Sequence, residues 1–242
     1  MNTTNPISPA DGATSPRGRA TGLGVLLIAD GLLALAPVAI LGAAIGWPAS
    51  LDAPAAEQLA RIHANAGAVT CGYTVYLLYS VLVAPVMIGL AARTFGGLGS
   101  ALPATVAAFG ALSALARSIG ILRWLTVMPV LAATHASGDP ATRQEIERLF
   151  DAITTYGGGI GEVLGVSLFM ALSVGTLCVG ALVRRCMPAW LAVGGLVAAA
   201  LLGGLALPSF GVAVDVPGAV AVSVLSLWML GAGVWCLRRS AG

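Results

Sequence analysis

Lysine is absent from this chain, and all 12 of its basic residues are arginine. Without a lysine amine no Schiff base to retinal or pyridoxal phosphate can form, so those chemistries are excluded. Charge of either sign is scarce. Charged residues make up 9% of the chain, against about 25% in a soluble domain. So few charges cannot cover a water-facing surface. The net charge of +2 is small and scattered, with no basic stripe interleaved with aromatics, which argues against a nucleic-acid partner. The four cysteines, Cys71, Cys178, Cys186 and Cys236, show no CxxC spacing and are expected as free thiols that behave as small core residues. His63 and His135 are the only histidines, and they lack HExxH or HxxxH spacing. They read as solvated loop residues. No metal and no cofactor is expected. No Ser-His-Asp order, P-loop or GxGxxG after a strand occurs, so nucleophilic catalysis has no support.

What the chain does have is apolar length. It is 242 residues long and 58% hydrophobic, with a mean hydropathy of +0.94. A membrane span needs roughly 20 apolar residues, and six runs qualify: 22–46, 66–92, 100–132, 156–182, 188–209 and 216–237. They tile residues 21–242 as one all-α, polytopic membrane domain. The third run is too long for a bilayer and is expected to project beyond it. Residues 1–20, rich in Thr, Ser, Pro and Gly without hydrophobic period, read as a disordered cytoplasmic tail. The first run is too long for a signal-peptide core and is expected as a retained span. Pro37, Pro85, Pro103 and Pro129 are candidate kinks.

Arginine sets the expected orientation. Alternate loops and the tails on one side carry Arg17, Arg19, Arg93, Arg184, Arg185, Arg238 and Arg239 against Asp11. The other side carries Arg61, Arg143 and Arg148 against Asp52, Glu57, Asp139, Glu145, Glu147, Asp151 and Asp215. The positive-inside rule then places both termini in the cytoplasm. Richness in Ala, Gly and Arg without Lys points to a high-GC bacterial genome, and hence to a multi-pass protein of the cell inner membrane.

On the acidic side, Asp139 is a good N-cap and Pro140 suits the first helical position. Ile146, Leu149, Phe150 and Ile153 recur at i, i+3, i+4 and i+7, which predicts an amphipathic helix over about 140–155 lying on the outer interface. Gly157, Gly158 and Gly159 are expected to turn it into the fourth span. Trp47, Trp190 and Trp235, near span ends, read as interfacial belt residues.

Three stretches carry a family resemblance: "ARSIGILRW" (116–124), "GEVLGVSLF" (161–169) and "PAWLAVGGL" (188–196), with a short outer helix "AAEQLARIHAN" before the second span. Spread over most of 21–238, the sequence resembles the bacterial membrane family catalogued as domain of unknown function 4386. The resemblance implies six helices and no activity. Arg117 and the Arg-Trp and Trp-Leu pairs match its pattern, and Glu162 stands where relatives more often carry histidine.

Four charges remain inside the runs: Asp30, Arg117, Arg123 and Glu162. A charge at the bilayer centre costs at least ~2.5–3.5 kcal/mol, so such groups face the bundle and pair. At a rise of about 1.5 Å per residue, Arg117 lies about 25 Å from the cytoplasmic end of its span and Glu162 about 10 Å from the external end of its own. That level makes Arg117–Glu162 the expected pair. Asp30, nearer the middle, either joins this cluster or stays neutral. Arg123 is expected to snorkel to the outer interface. Tyr73 and Tyr76 share a helix face, and Trp124 shares that of Arg117. Together Tyr73, Tyr76, Arg117, Trp124, Glu162 and Asp30 are candidate ligand-binding residues around an outer-half cavity. The other reading is a buried ion pair that fixes helix register. Gly157–Gly165 offer either a helix N-terminus for a lipid phosphate or, preferably, close helix packing. Three function classes stay open. The first is a binding or accessory protein for a lipid-like or isoprenoid-like molecule, with membrane lipids as partners. The second is an intramembrane enzyme on such a substrate, with Glu162 or Asp30 as acid and Tyr76 assisting. The third is a small-molecule transporter, though no internal repeat is evident. The sequence does not fix the oligomeric state.

Overall fold

A computed structural model describes residues 16–214 and 216–241. Asp11, Asp215 and residues 1–15 of the expected tail lie outside the described residues. Ten α-helices follow in chain order: α1 Pro16–Leu33, α2 Leu35–Ile45, α3 Ala55–Ala64, α4 Ala66–Phe95, α5 Ala101–Thr126, α6 Met128–Ser137, α7 Pro140–Gly158, α8 Met170–Arg184, α9 Ala189–Ala206 and α10 Gly218–Ala241. A π-helical segment, Gly159–Phe169, joins α7 to α8. No strand occurs among the described residues. Six helical runs are long and apolar enough to cross a membrane, and they coincide with the expected six to within a few residues at most ends. This is an integral membrane protein. Helix α1 starts at Pro16, so residues 16–20 belong to the first helix and not to the tail.

The spans close into a ring in which α1 packs on α4, α4 on α5, α5 on α8, α8 on α9, α9 on α10 and α10 back on α1. Leu27, Val83, Met87, Val174, Leu177 and Met229 are among the fully buried residues of its core. Proline breaks that ring at one end. Pro37 has no N–H for the Leu33 carbonyl, and its ring crowds that carbonyl, so the helix cannot run straight through. Helix α1 accordingly stops at Leu33, Ala34 forms a turn, and α2 resumes as a proline-bent continuation that packs on α4. Beyond the bend α2 has no substantial packing on α10, and the ring stands open between them.

The open end carries a cap. Helix α5 passes through Val127 into α6, giving one helical run Ala101–Ser137. Gly138 and Asp139 then reverse the chain into α7, in whose first turn the Thr142 amide donates to Asp139 Oδ1 at 2.8 Å. The expected amphipathic helix forms, but the glycine triplet does not turn it. Gly159 keeps right-handed helical angles (φ −54, ψ −42), and the helix continues without a break from Pro140 to Arg184. Its apolar stripe is spent on protein. Phe150 is fully buried with Leu59 and Ile62 of α3 and Met128 of α6, and Ile146 and Ile153 pack beside them. Leu149, the fourth member, is 45% exposed. His135 is not a loop residue but lies on α6, where its Nε2 is 2.9 Å from Glu147 Oε1. His63 lies exposed on α3.

Of the three expected belt tryptophans, Trp190 is 65% exposed, whereas Trp235 is buried in the core and Trp47 turns inward over α4. Span-end position alone does not separate these, because a helix end that packs on a neighbour buries one of its faces. None of the four cysteines forms a disulfide among the described residues, and Cys178 and Cys236 are buried.

Candidate functional site

Helices α4 and α5 and the π segment bring polar groups to one level under the cap. Glycine sets how close they come. A Cβ on Gly120 would stand 2.6 Å from the Gly161 Cα, and one on Gly165 would stand 2.8 Å from the Arg117 backbone nitrogen. The two helices therefore touch backbone to backbone, and Ser113 Oγ donates to the Gly165 carbonyl at 2.7 Å across the contact. Because α7 leads straight into the π segment, the glycines present no helix N-terminus. Of the two readings of this stretch, packing is what the structure contains.

A cavity of about 660 Å³ lies beside this contact. Its two walls differ in chemistry. The wall from α4, α5 and the π segment carries Tyr73, Tyr76, Tyr79, Arg117, Arg123 and Glu162. The rest of the lining, from α2, α9, α10 and the turn Leu207–Phe210 after α9, includes Leu35, Val38, Leu205, Ala219 and Val222, with Ser209, Ser223 and Ser226. Five of the six candidate residues, Tyr73, Tyr76, Arg117, Trp124 and Glu162, thus line one space. Asp30 does not. It is fully buried one turn before the bend, and neither of its carboxylate oxygens has a hydrogen-bond partner. It interacts electrostatically with Arg117 without forming an ion pair.

The expected Arg117–Glu162 pair is not formed. Glu162 Oε1 stands 3.7 Å from Arg123 Nη2 instead. Depth is not the reason, since Gly120 opposite Gly161 puts residues 117 and 162 at neighbouring levels. Direction is. Helical side chains lean toward the N-terminus of their own helix, so Arg123 reaches back toward Glu162 while Arg117 reaches further from it. Arg117 is 2% exposed and its Nη1 donates to Tyr79 Oη at 3.0 Å. Arg123 does not snorkel either. It is 8% exposed, because α6 prolongs its helix and the cap covers the position where an interface was expected. Its guanidinium lies over the Trp124 ring at 5.4 Å.

Aromatic stacking ties this wall to the cap. Tyr73 stacks on Trp124 at 4.8 Å with an interplanar angle of 5°, and Trp124 meets Phe150 edge-on at 6.2 Å. Trp47 closes the other side, edge-on to Tyr76 at 6.0 Å. Tyr79 was not among the candidates read from the sequence. Its signal was there, since it extends the Tyr73, Tyr76 row by one more step of three. Among the described residues no group of three or more His, Cys, Asp or Glu is placed to hold a metal ion.

The family model described as Domain of unknown function (DUF4386) matches residues 23–233. The chain belongs to this family. Neither the curated proteins nor the solved structures contain a match. The matched range of this DUF4386 protein takes in every residue of the cavity wall, and the family description carries no activity.

Proposed function

We propose that this DUF4386 protein is a binding or accessory membrane protein whose cavity holds a lipid-like or isoprenoid-like molecule. One observation carries the reading: a 660 Å³ space with a polar and an apolar wall, opening where α2 and α10 part. Its volume falls within the roughly 300–1,000 Å³ of small-molecule sites. Polar groups left against hydrocarbon cost several kcal/mol each, so they require a partner of their own chemistry. An amphiphile supplies both halves. Its head meets the tyrosines and arginines, and its chain lies along Leu35, Val38 and Val222 toward the bilayer.

Native mass spectrometry of the protein released from mild detergent tests this. One amphiphile per chain is expected, and it should be lost when the apolar wall is filled by Val38→Trp and Val222→Trp in a chain that keeps its helical circular dichroism. Undiminished lipid on the filled variant would overturn the reading.

A second reading has an observation of its own. Glu162 lines the cavity with 62% of its side chain accessible, a position suited to an acid acting on a bound lipid, with Tyr76 assisting. Glu162→Gln would then abolish turnover while leaving the bound mass in place, whereas a binding protein would show no turnover to lose.

A further inference from the structure

The polar wall has unspent hydrogen-bonding capacity, and most of it is donor. Of the three nitrogens of Arg117, Nη1 is taken by Tyr79, while Nε and Nη2 are buried just behind the cavity surface that Arg117 lines and have no partner. Those two N–H groups lie side by side on one edge of the planar guanidinium. That edge is the one that meets two oxygens of a single carboxylate or phosphate in parallel. Arg123 Nε and the Tyr73 hydroxyl are likewise without partners. The carboxylate in the cavity lining, Glu162, stands 3.7 Å from Arg123, a loose ion pair without a hydrogen bond. Asp30, whose two oxygens are both free, lies outside the lining and does not close on Arg117. A cationic head would find Glu162 but would also face two guanidinium groups on the same wall. A neutral alcohol could use one of the Arg117 donors and leave the other buried and unmet.

Resting on the binding reading above, we infer that the head group is an oxyanion, a phosphate or carboxylate, held in bidentate fashion by the Nε–Nη2 edge of Arg117. Tyr73 adds an unpartnered hydroxyl further along this wall, toward Arg123, and Tyr79 anchors the guanidinium at Nη1. Asp30 is the internal competitor. With both oxygens unpartnered and Arg117 acting on it, it draws on the same positive charge that the head group uses.

The test compares amphiphiles of one chain length on the whole protein in dodecyl maltoside: hexadecyl phosphate, hexadecanol and hexadecyltrimethylammonium, with inorganic phosphate alone as a fourth probe. Bound fraction is read by native mass spectrometry. Hexadecyl phosphate is expected to bind at one per chain and at least about tenfold tighter than hexadecanol, the low end of what a hydrogen bond to a charged group contributes. Arg117→Gln should remove that difference by bringing hexadecyl phosphate down to the affinity of hexadecanol or below, and Asp30→Asn should enlarge it. Should Arg117→Gln fail to fold, Arg117→Lys keeps the charge but loses the parallel edge, and the comparison of heads on the unaltered protein decides by itself.

Equal affinity for the phosphate and the alcohol would overturn the oxyanion while leaving the amphiphile cavity standing, and so would tightest binding of the ammonium. Inorganic phosphate binding as tightly as hexadecyl phosphate would support the oxyanion and sink the lipid reading. Binding of none of the four would sink both.

Discussion

Among the described residues Tyr79 Oη is the single hydrogen-bond acceptor that Arg117 finds, at 3.0 Å across the α4–α5 contact. A buried charge with one partner depends on it. Tyr79→Phe is therefore expected to lower stability by about 1.5–3 kcal/mol, the range for a hydrogen bond to a charged group. Tyr76→Phe, on the same wall but with no bond to Arg117, should be close to neutral. Thermal melts in detergent decide between them. Equal losses would show that the Tyr79 bond does not hold the guanidinium.

Arg123 and Glu162 should behave differently. The separation of 3.7 Å and the 62% accessible Glu162 side chain describe a loose contact open to the cavity, which is expected to contribute less than about 1 kcal/mol. In double-mutant cycles Arg123→Met with Glu162→Gln should show a small coupling, and Arg117→Met with Glu162→Gln none beyond error. A coupling that falls on Arg117 would mean that the two arginines exchange roles in the membrane.

These two contacts show where reading a sequence reaches its limit. The six spans were legible because a run of apolar residues long enough to cross a bilayer has few other uses. The level of the polar groups was legible too, since rise per residue is fixed by helix geometry. Which arginine meets Glu162 was not, because that depends on side-chain direction and on how two helices rotate about their axes. The cap was half legible. Asp139, Pro140 and the apolar stripe announced α7, but Gly157–Gly159 read as a turn. In the structure these glycines stay helical, and those that follow let the π segment lie against α5. Asp30 was visible as a buried charge, yet nothing local to it showed that it stays out of the cavity lining.

Asp139 offers a pH test outside the spans. The hydrogen bond from the Thr142 backbone amide holds its carboxyl below the ordinary aspartate range. A carboxyl whose folded pKa is depressed stabilises the fold above its unfolded value, near ~3.9, and loses that contribution as pH falls through the folded value. The first turn of α7 should therefore fray below about pH 4. Hydrogen exchange at Thr142 and Arg143, corrected for intrinsic rate, should rise there. Asp139→Asn keeps a good cap without the titration, so its exchange should stay flat across the same range. A parallel rise in that variant would place the acid sensitivity elsewhere.

Pro37 is the residue on which the cavity's opening turns. Replacing it with alanine returns an N–H to the Leu33 carbonyl and removes the ring that crowds it, a change worth up to about 3 kcal/mol in a helix interior. The restored helix would carry α2 on along the line of α1, toward α10 and away from α4. Two consequences should appear together. The distance between spin labels placed at Leu35 of α2 and Ala219 of α10, which both line the cavity, should shorten, and the bound amphiphile per chain should fall. Melting temperature should not fall with them, because a straighter helix replaces the packing that α2 gives up on α4. If the labels keep their distance and occupancy is unchanged, the bend belongs to the packing of α2 on α4, and Pro37 merely tolerates it. A shorter distance with full occupancy would separate the two ideas differently, leaving the bend to Pro37 and sending the amphiphile in by another side of the ring.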